Sequence, residues 1–149
     1  IQKNNPHVKL VIAGQRPVEE IQKLQSDRID ITGFVPDISD LYRTCSILVA
    51  PLRFGAGTQN KVLEAMAMGV PVVCTHIGFA GLQIESGDGV IMAQESNDFI
   101  YQVNHLLSDT AQRCEVGEKG LTIAHQRFSW ESITDQLDFY VNDIYLNMI

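Results

Sequence analysis

Residues 50–74 read A-P-L-R-F-G-A-G-T-Q-N-K-V-L-E-A-M-A-M-G-V-P-V-V-C, and this stretch decides the fold. Its pattern predicts the end of a buried strand, a glycine-rich loop, an almost wholly apolar helix over Gln59–Met68, and then a second buried strand. Thr58 is the expected N-cap of that helix, and Gly69 is its expected left-handed stop. The stretch therefore predicts one strand–loop–helix–strand unit.

The glycine-rich loop is suited to holding an anion. Gly55 and Gly57 allow the backbone to turn tightly and to come close to a ligand. The first amides of the following helix have no acceptor within the helix, so their N–H groups point at one spot. The sequence therefore predicts an anion-binding site where the loop enters the helix.

The alternation of short buried strands with helices continues on both sides of this stretch. Residues 76–89 are expected to be a loop, and strands are predicted at Val8–Ala13, Ile29–Thr32, Ile47–Ala50, Pro71–Cys74 and Val90–Met92. The alternation predicts an α/β fold, a Rossmann-like, doubly wound parallel sheet with helices on both faces. Ligands of such sheets bind beyond the carboxyl ends of the strands, where the glycine-rich loop lies.

Three helices are expected after the last strand. Their predicted N-caps are Ser96 or Asn97, Asp109, and Ser129. Gly117 and Gly120 are expected to weaken the second helix. The third carries an apolar stripe that predicts a core face or a domain-contact surface, formed by Trp130, Ile133, Leu137, Val141, Ile144 and Met148.

Composition and charge narrow the class of protein. The 149 residues predict one domain, and the formal net charge of −7 argues against a nucleic-acid binder, which would carry a basic face. Cys45, Cys74 and Cys114 lie in or near apolar segments and are expected to be reduced core thiols. With no leader and no apolar run of membrane-spanning length, the sequence predicts a soluble, cytoplasmic protein. Because it opens on Ile1 and not on methionine, we expect a piece truncated at its N-terminus.

Three familiar nucleotide-binding and phosphate-binding patterns do not fit. The phosphate loop of nucleotide hydrolases needs a glycine where Asn60 stands and a magnesium-binding hydroxyl where Val62 stands. A phospho-receiver domain needs an aspartate at the end of the third strand, where Pro51 follows Ala50. The run G-Q-R-P at residues 14–17 is not a dinucleotide fingerprint. The histidines show no metal-ligand spacing, so no metal site is expected.

Glu64 is the only formal charge between Lys61 and Glu85. A carboxylate in apolar surroundings is costly unless something hydrogen-bonds it, and this one lies near the positive end of the helix dipole. It could accept hydrogen bonds from a ribose diol while the helix N-terminus takes a diphosphate. It could equally form an i,i+3 contact with Lys61 on a solvated strip. The residues alone leave both interpretations open.

Other polar residues at the loop side are weaker candidates. Arg53 is a phosphate candidate because a guanidinium suits two oxygens at once. Arg16 and His76 could approach the same cleft, although a solvated or structural role suits both better.

The run G-x-x-N-K-V-L-E-A-M-A-M-G-V-P-V-V resembles the C-terminal domain of family-4-type (group 1) glycosyltransferases, which is half of a GT-B fold. The likeness extends from V-K-L-V-I-A-G at Val8, through I-T-G-F-V and D-L-Y-R-T-C-S-I-L-V-A-P-L, to F-S-W-E-S-I at Phe128. Among subgroups, the chain looks most like bacterial exopolysaccharide-associated sugar transferases.

The resemblance implies roles for several residues. The loop amides of Gly57, Thr58 and Gln59, with Gly55 in the same loop, would hold the diphosphate of the donor. The residue that matches the family's helix glutamate, Glu64, would bind the ribose. The loop residues after G-F-V would line the nucleobase, and these are Phe34 and Val35. Lys61 fits two roles equally, a positive charge near the phosphates and an ordinary surface lysine.

The implied function is to bind the donor in a retaining glycosyltransferase. Such an enzyme would transfer a sugar from a UDP- or GDP-sugar to a glycan or lipid-linked acceptor. No metal or other cofactor is expected, and the partner is an N-terminal acceptor domain of the same full-length chain, which could associate peripherally with a membrane. Two departures matter: Ala56 stands where the family has a first glutamate, and the family's basic pair lies upstream of this sequence. The fragment alone is therefore expected to be inactive. A nucleotide-sugar epimerase and a non-catalytic interaction module are the alternatives.

Overall fold

The structure is a computed structural model that describes residues 1–147 and divides the chain into two compact units, with the boundary between Thr44 and Cys45. Met148, which the sequence pattern places on the last helix, lies outside the described residues.

The first unit is a two-stranded parallel sheet with two short helices. Its elements are β1 (Leu10–Ala13), α1 (Glu19–Gln22), β2 (Ile29–Gly33) and α2 (Ser39–Thr44). Leu10 pairs with Ile29 and Ile12 with Ile31, so the apolar residues of the two strands share one face. Helix α1 is a single turn, because an antiparallel bridge between Ser26 and Ile29 turns the chain directly into β2.

The second unit begins at Cys45 and contains a three-stranded parallel sheet. Its elements are β3 (Leu48–Ala50), α3 (Asn60–Ala67), β4 (Val72–Cys74), α4 (His76–Phe79), β5 (Val90–Met92), α5 (Ser96–Ser108), α6 (Thr110–Phe128) and α7 (Trp130–Asn147). The strand order is β3-β4-β5, and Ala50, Cys74 and Met92 lie in register at the carboxyl ends. The predicted α/β class with parallel strands is confirmed. The prediction that residues 76–89 are wholly loop is wrong, since α4 occupies their start.

The central strand β4 holds the core of this unit. Its three residues, Val72, Val73 and Cys74, have no exposed surface, as expected for a parallel strand that is covered on both faces. On one side, a buried cluster joins the sheet to α5 and α6, and its members are Val73, Ile91, Ala93, Val103, Leu106 and Val116. Because the strands are held by this buried cluster, the loops that leave their carboxyl ends begin at defined positions.

The helix caps test the sequence pattern directly. Asp109 accepts a hydrogen bond from the amide of Gln112 at 2.9 Å, and the Ser129 hydroxyl accepts one from the amide of Ser132 at 3.2 Å, so both predicted caps are confirmed. The expected cap at Ser96 or Asn97 is wrong. Those residues lie inside the first turn of α5, and its N-cap position is Glu95.

The two glycines of α6 are packing sites. A Cβ atom added to Gly117 would lie 2.2 Å from the carbonyl oxygen of Gly69, and one added to Gly120 would lie 2.9 Å from Cα of Gly89. The helix backbone therefore lies against the turn after α3 and against the start of β5. The sequence pattern identified the cost of these glycines in a helix but not the contact that requires them.

Two predictions about burial need correction. Cys45 and Cys114 are exposed, because they lie on the outer sides of their segments, and only Cys74 is buried. All three cysteines are free thiols. Of the two roles predicted for the α7 stripe, the core face is wrong, because Trp130 is 84% exposed and Leu137 is 59% exposed, and the domain-contact surface stays a prediction. Within residues 1–147, every helix is too short or too polar to cross a bilayer.

Replacing Gly117 with alanine tests the close packing of α6. Alanine normally stabilises a helix relative to glycine, but here its methyl group would meet a backbone oxygen that cannot move freely. We expect Gly117→Ala to lower the free energy of unfolding by about 1–3 kcal/mol, as overpacking does. Chemical denaturation measures it, with Glu118→Ala, an exposed site on the same helix, as the control. Equal or increased stability of Gly117→Ala would contradict the packing.

The cysteines should differ sharply in reactivity. Burial raises the pKa of Cys74 to about 12, so its reactive thiolate is scarce at neutral pH. We expect an alkylating reagent at pH 8 to modify Cys114 and Cys45 in the folded protein, Cys45 the more slowly because desolvation also raises the pKa of its thiol, and Cys74 only after unfolding. Mass spectrometry of peptides after timed labelling measures this. Labelling of Cys74 in the folded protein at the rate of Cys114 would show that β4 is not shielded from the reagent.

Candidate functional site

The glycine-rich loop of residues 51–59 leaves the carboxyl end of β3 and enters α3. At its start, the Leu52 amide donates to the carbonyl of Ala50 at 2.9 Å. The Thr75 hydroxyl, just beyond β4, donates to the Leu52 carbonyl at 2.6 Å. Two residues that follow neighbouring strands are thus bonded to each other, and this bond fixes where the loop begins.

Gly55 and Gly57 serve the loop in different ways. Gly57 has a φ of +68° and open space around it, so it is needed for its backbone conformation. Gly55 has a φ of +151°, and a Cβ atom there would lie 3.3 Å from both the Gln59 side chain and Ile77. One side of the loop therefore packs on Gln59 and on α4, which leaves the other side to solvent.

Helix α3 begins one residue later than the sequence pattern predicts. Gln59 is the N-cap residue, and its carbonyl accepts hydrogen bonds from the amides of Val62 and Leu63 at 2.9 and 3.3 Å. The amides of Asn60 and Lys61 precede these, and the first amides of a helix have no acceptor within it. The start of α3 thus presents N–H groups at the end of the glycine-rich loop, as an anion site requires.

Thr58 is not the helix cap. Its hydroxyl donates instead to the carbonyl of Gly81 at 3.1 Å. The approach is possible because Gly81 has no side chain: a Cβ atom there would lie 2.8 Å from N and Cα of Thr58. The predicted cap at Thr58 is therefore wrong, because its hydroxyl bonds to a residue 23 positions further along the chain, and a local capping pattern does not contain such a contact. The cap residue Gln59 instead donates its side-chain amide to the carbonyls of Ala56 and Gly57, both at 3.4 Å.

Helix α3 separates an apolar face from a charged one. Val62, Ala65 and Met66 are fully buried, whereas Lys61 and Glu64 are exposed on the other side. The sequence left two interpretations of Glu64 open, a carboxylate in apolar surroundings and one on a solvated strip with Lys61, and the structure shows the residue exposed. Glu64 therefore lies on the same exposed strip of α3 as Lys61.

Other residues of the loop and of the neighbouring helix α4 are also exposed to solvent. Arg53 and Ala56 are exposed, and His76 is exposed at the start of α4. Arg53 and Lys61 are the only formal positive charges in residues 51–61. Phe54 is 87% exposed, a feature that sequence reasoning missed. The sequence signal for this exposure is that Phe54 stands between Arg53 and Gly55 and belongs to no apolar period.

Three predicted site residues belong to the first unit. Arg16 follows β1, is exposed and has a φ of +50°. Phe34 is 65% exposed and Val35 is half-buried, and both follow β2. All three thus lie beyond the carboxyl ends of their own strands. Their roles towards a nucleotide stay predictions. Within residues 1–147, no three His, Cys, Asp or Glu side chains cluster closely enough to hold a metal ion.

Comparison with known proteins gives a family. A family model described as "Glycosyl transferases group 1" matches residues 1–109. O-antigen chain mannosyltransferase B from Escherichia coli is 37% identical over 109 residues, which are 70% of this chain and 27% of that protein. The chain spans about a third or less of the length of the curated relatives it matches first.

Solved structures show the same fold. HepE from Anabaena, in complex with UDP, matches with a TM-score of 0.79 and 22% identity, over 93% of this chain and 42% of that one. The C-terminal domain of a glycosyl transferase group 1 family protein, LpcC from Francisella tularensis, matches with a TM-score of 0.75 and 20% identity, over 87% of this chain and 74% of that one. These likenesses confirm the predicted fold class.

The bond between Thr75 and Leu52 can be tested without disturbing the shape of the site. Thr75→Val removes the hydroxyl that donates to Leu52 but keeps the volume, so a half-buried carbonyl loses its donor. We expect a loss of about 1 kcal/mol in the free energy of unfolding. Thr75→Ser keeps the donor and is the matched control. Chemical denaturation of both variants measures the difference, and equal stability would show that the bond does not hold the loop.

Proposed function

Because the chain belongs to the group 1 glycosyltransferases, we propose that it binds the nucleoside diphosphate of a UDP- or GDP-sugar donor. The observation that carries the proposal is the exposed amide end of α3 at the close of the glycine-rich loop, with the exposed carboxylate of Glu64 further along the same helix. The two groups complement the two polar parts of a nucleoside diphosphate, its phosphates and its ribose hydroxyls.

The diphosphate lies against the amides of residues 57–61. These N–H groups carry partial positive charge, and the helix adds a dipole with a positive end of about half a charge at the same place. Arg53 and Lys61 are the nearby cations that can add to this field. Backbone amides and two side chains thus neutralise the phosphates without a metal ion.

The ribose lies along the exposed strip of α3. Glu64 is four residues beyond Asn60, which corresponds to a rise of about 6 Å along the helix axis. An ionised carboxylate only accepts hydrogen bonds, and its two oxygens suit two hydroxyl donors. HepE, which has the same fold, has been solved with UDP and with UDP-glucose. These complexes support a nucleoside diphosphate as the ligand class.

In the whole protein, we propose retaining transfer of a sugar to a glycan or lipid-linked acceptor. Departure of the nucleoside diphosphate develops negative charge on the leaving phosphate, and fixed amides aimed at that charge stabilise the transition state. The acceptor is bound by an N-terminal domain of the same full-length polypeptide, so the 149-residue chain binds donor but does not transfer sugar. The exposed Ala56 leaves the loop without a carboxylate near the donor.

Thermal unfolding with nucleotides tests the proposal. We expect millimolar UDP or GDP to raise the melting temperature of the chain, because a ligand that binds only the folded state stabilises it. Glu64→Gln should bind the same nucleotide about tenfold or more weakly, since hydrogen bonds to a charged group are lost. Glu118→Gln, an exposed carboxylate on α6, is the matched control and should behave as the wild type.

Two results would contradict the proposal. If neither UDP nor GDP stabilises the wild type, the loop is not a nucleotide site, and a non-catalytic interaction module becomes the better interpretation. If Glu64→Gln and Glu118→Gln bind equally well, the diphosphate site stands but Glu64 does not hold the ribose.

A further inference from the structure

Phe54 is the most exposed large apolar side chain among the described residues, at 87%. Burying a phenylalanine side chain stabilises a folded protein relative to leaving it exposed, and the fold does not gain this stabilisation at Phe54. Single exposed apolar residues are common on protein surfaces. This one differs in its position, in the loop that leads into the candidate anion site.

The backbone on either side of Phe54 is fixed by hydrogen bonds. On one side, the Leu52 carbonyl accepts from Thr75, and the Leu52 amide donates to Ala50. On the other side, Gln59 donates to the carbonyl of Ala56. The ring is thus exposed on a braced loop and not on a free chain end, so little backbone ordering remains when a ligand contacts it.

Covalent geometry brings Phe54 close to whatever the loop amides bind. Its Cα is at most about 11 Å from that of Gly57, the first of the residues whose amides are proposed to hold the diphosphate. The first helical residue, Asn60, follows the loop, and Glu64 lies further along α3. Along the chain, the order is therefore Phe54, the amides of residues 57–61, and then Glu64.

A nucleotide-sugar has the same linear order, with the diphosphate between the sugar and the nucleoside. When Glu64 holds the ribose and the amides hold the diphosphate, the sugar extends beyond the N-terminal end of α3, the end at which the loop that carries Phe54 joins the helix. A hexose ring presents C–H groups on its faces, and the face of an aromatic ring carries the negative part of its quadrupole. The two faces are complementary.

We propose that Phe54 packs against the sugar ring of the donor and thereby distinguishes a nucleotide-sugar from the free nucleoside diphosphate. The proposal rests on the proposed function, since it uses the same diphosphate and ribose contacts. Phe54 is a specificity-determining residue in this arrangement. It supplies an apolar contact to the sugar, whereas Ala56 in the same loop offers only a methyl group.

Isothermal titration of the 149-residue chain with matched ligands tests this. UDP and UDP-glucose form one pair and GDP and GDP-mannose the other, and the pair that binds the wild type more tightly is used. We expect Phe54→Ala to weaken binding of the nucleotide-sugar about fivefold and to leave binding of the free nucleotide unchanged. Phe54→Trp should retain the preference, and Phe139→Ala, an exposed phenylalanine on α7, should match the wild type.

The outcomes separate the two proposals. If the wild type binds the free nucleotide but Phe54→Ala leaves the affinity for the nucleotide-sugar unchanged, Phe54 does not contact the sugar, and the proposed function stands. If Phe54→Ala weakens the free nucleotide and the nucleotide-sugar equally, the ring contacts the nucleotide, and the sugar contact is wrong. If the wild type binds neither ligand of either pair, both proposals are overturned.

Discussion

The complete burial of β4 is the constraint on which the second unit depends. Val72, Val73 and Cys74 are covered on both faces, and β4 pairs in parallel with β3 on one side and β5 on the other. Because the three strands end in register, the residues that follow them emerge at one edge of the sheet. The bond from Thr75 to the Leu52 carbonyl converts this register into a fixed starting point for the glycine-rich loop.

The close approach of backbones is the second requirement, and glycines meet it at three places. Gly117 lies against the turn after α3, Gly120 lies against Gly89 at the start of β5, and Gly81 lies against Thr58 in the loop. A side chain at any of these positions would separate two elements of the unit. The third contact also affects the site. The Thr58 hydroxyl bonds to Gly81, and Gln59 is the N-cap residue of α3 in its place.

The difference between what could and could not be predicted from the sequence follows from the range of the interactions. The β3–α3–β4 succession was predictable to within two residues because apolar runs, glycines and prolines act locally. The caps Asp109 and Ser129 were predictable for the same reason. The hydrogen bond of Thr58 and the packing of the α6 glycines were not, because contacts far apart in sequence decide them. The four-residue helix α4 was missed as well. Exposure of Phe54 was hidden and exposure of Glu64 was one of two open interpretations, since both depend on which side of the loop and of α3 the core covers.

An acidic chain can bind an anion because the groups involved act at short range. The net charge of −7 would repel a diphosphate at a distance, but in physiological salt the interaction between exposed charges is largely screened beyond about 8 Å. Within that distance, the diphosphate at the start of α3 would meet amide N–H groups whose direction the fold has already fixed. A preorganised set of dipoles needs no reorganisation when the ligand arrives, whereas flexible lysines would have to lose side-chain entropy to make the same contacts. The site therefore depends on the packing that holds the loop in place, and not on the overall charge of the protein.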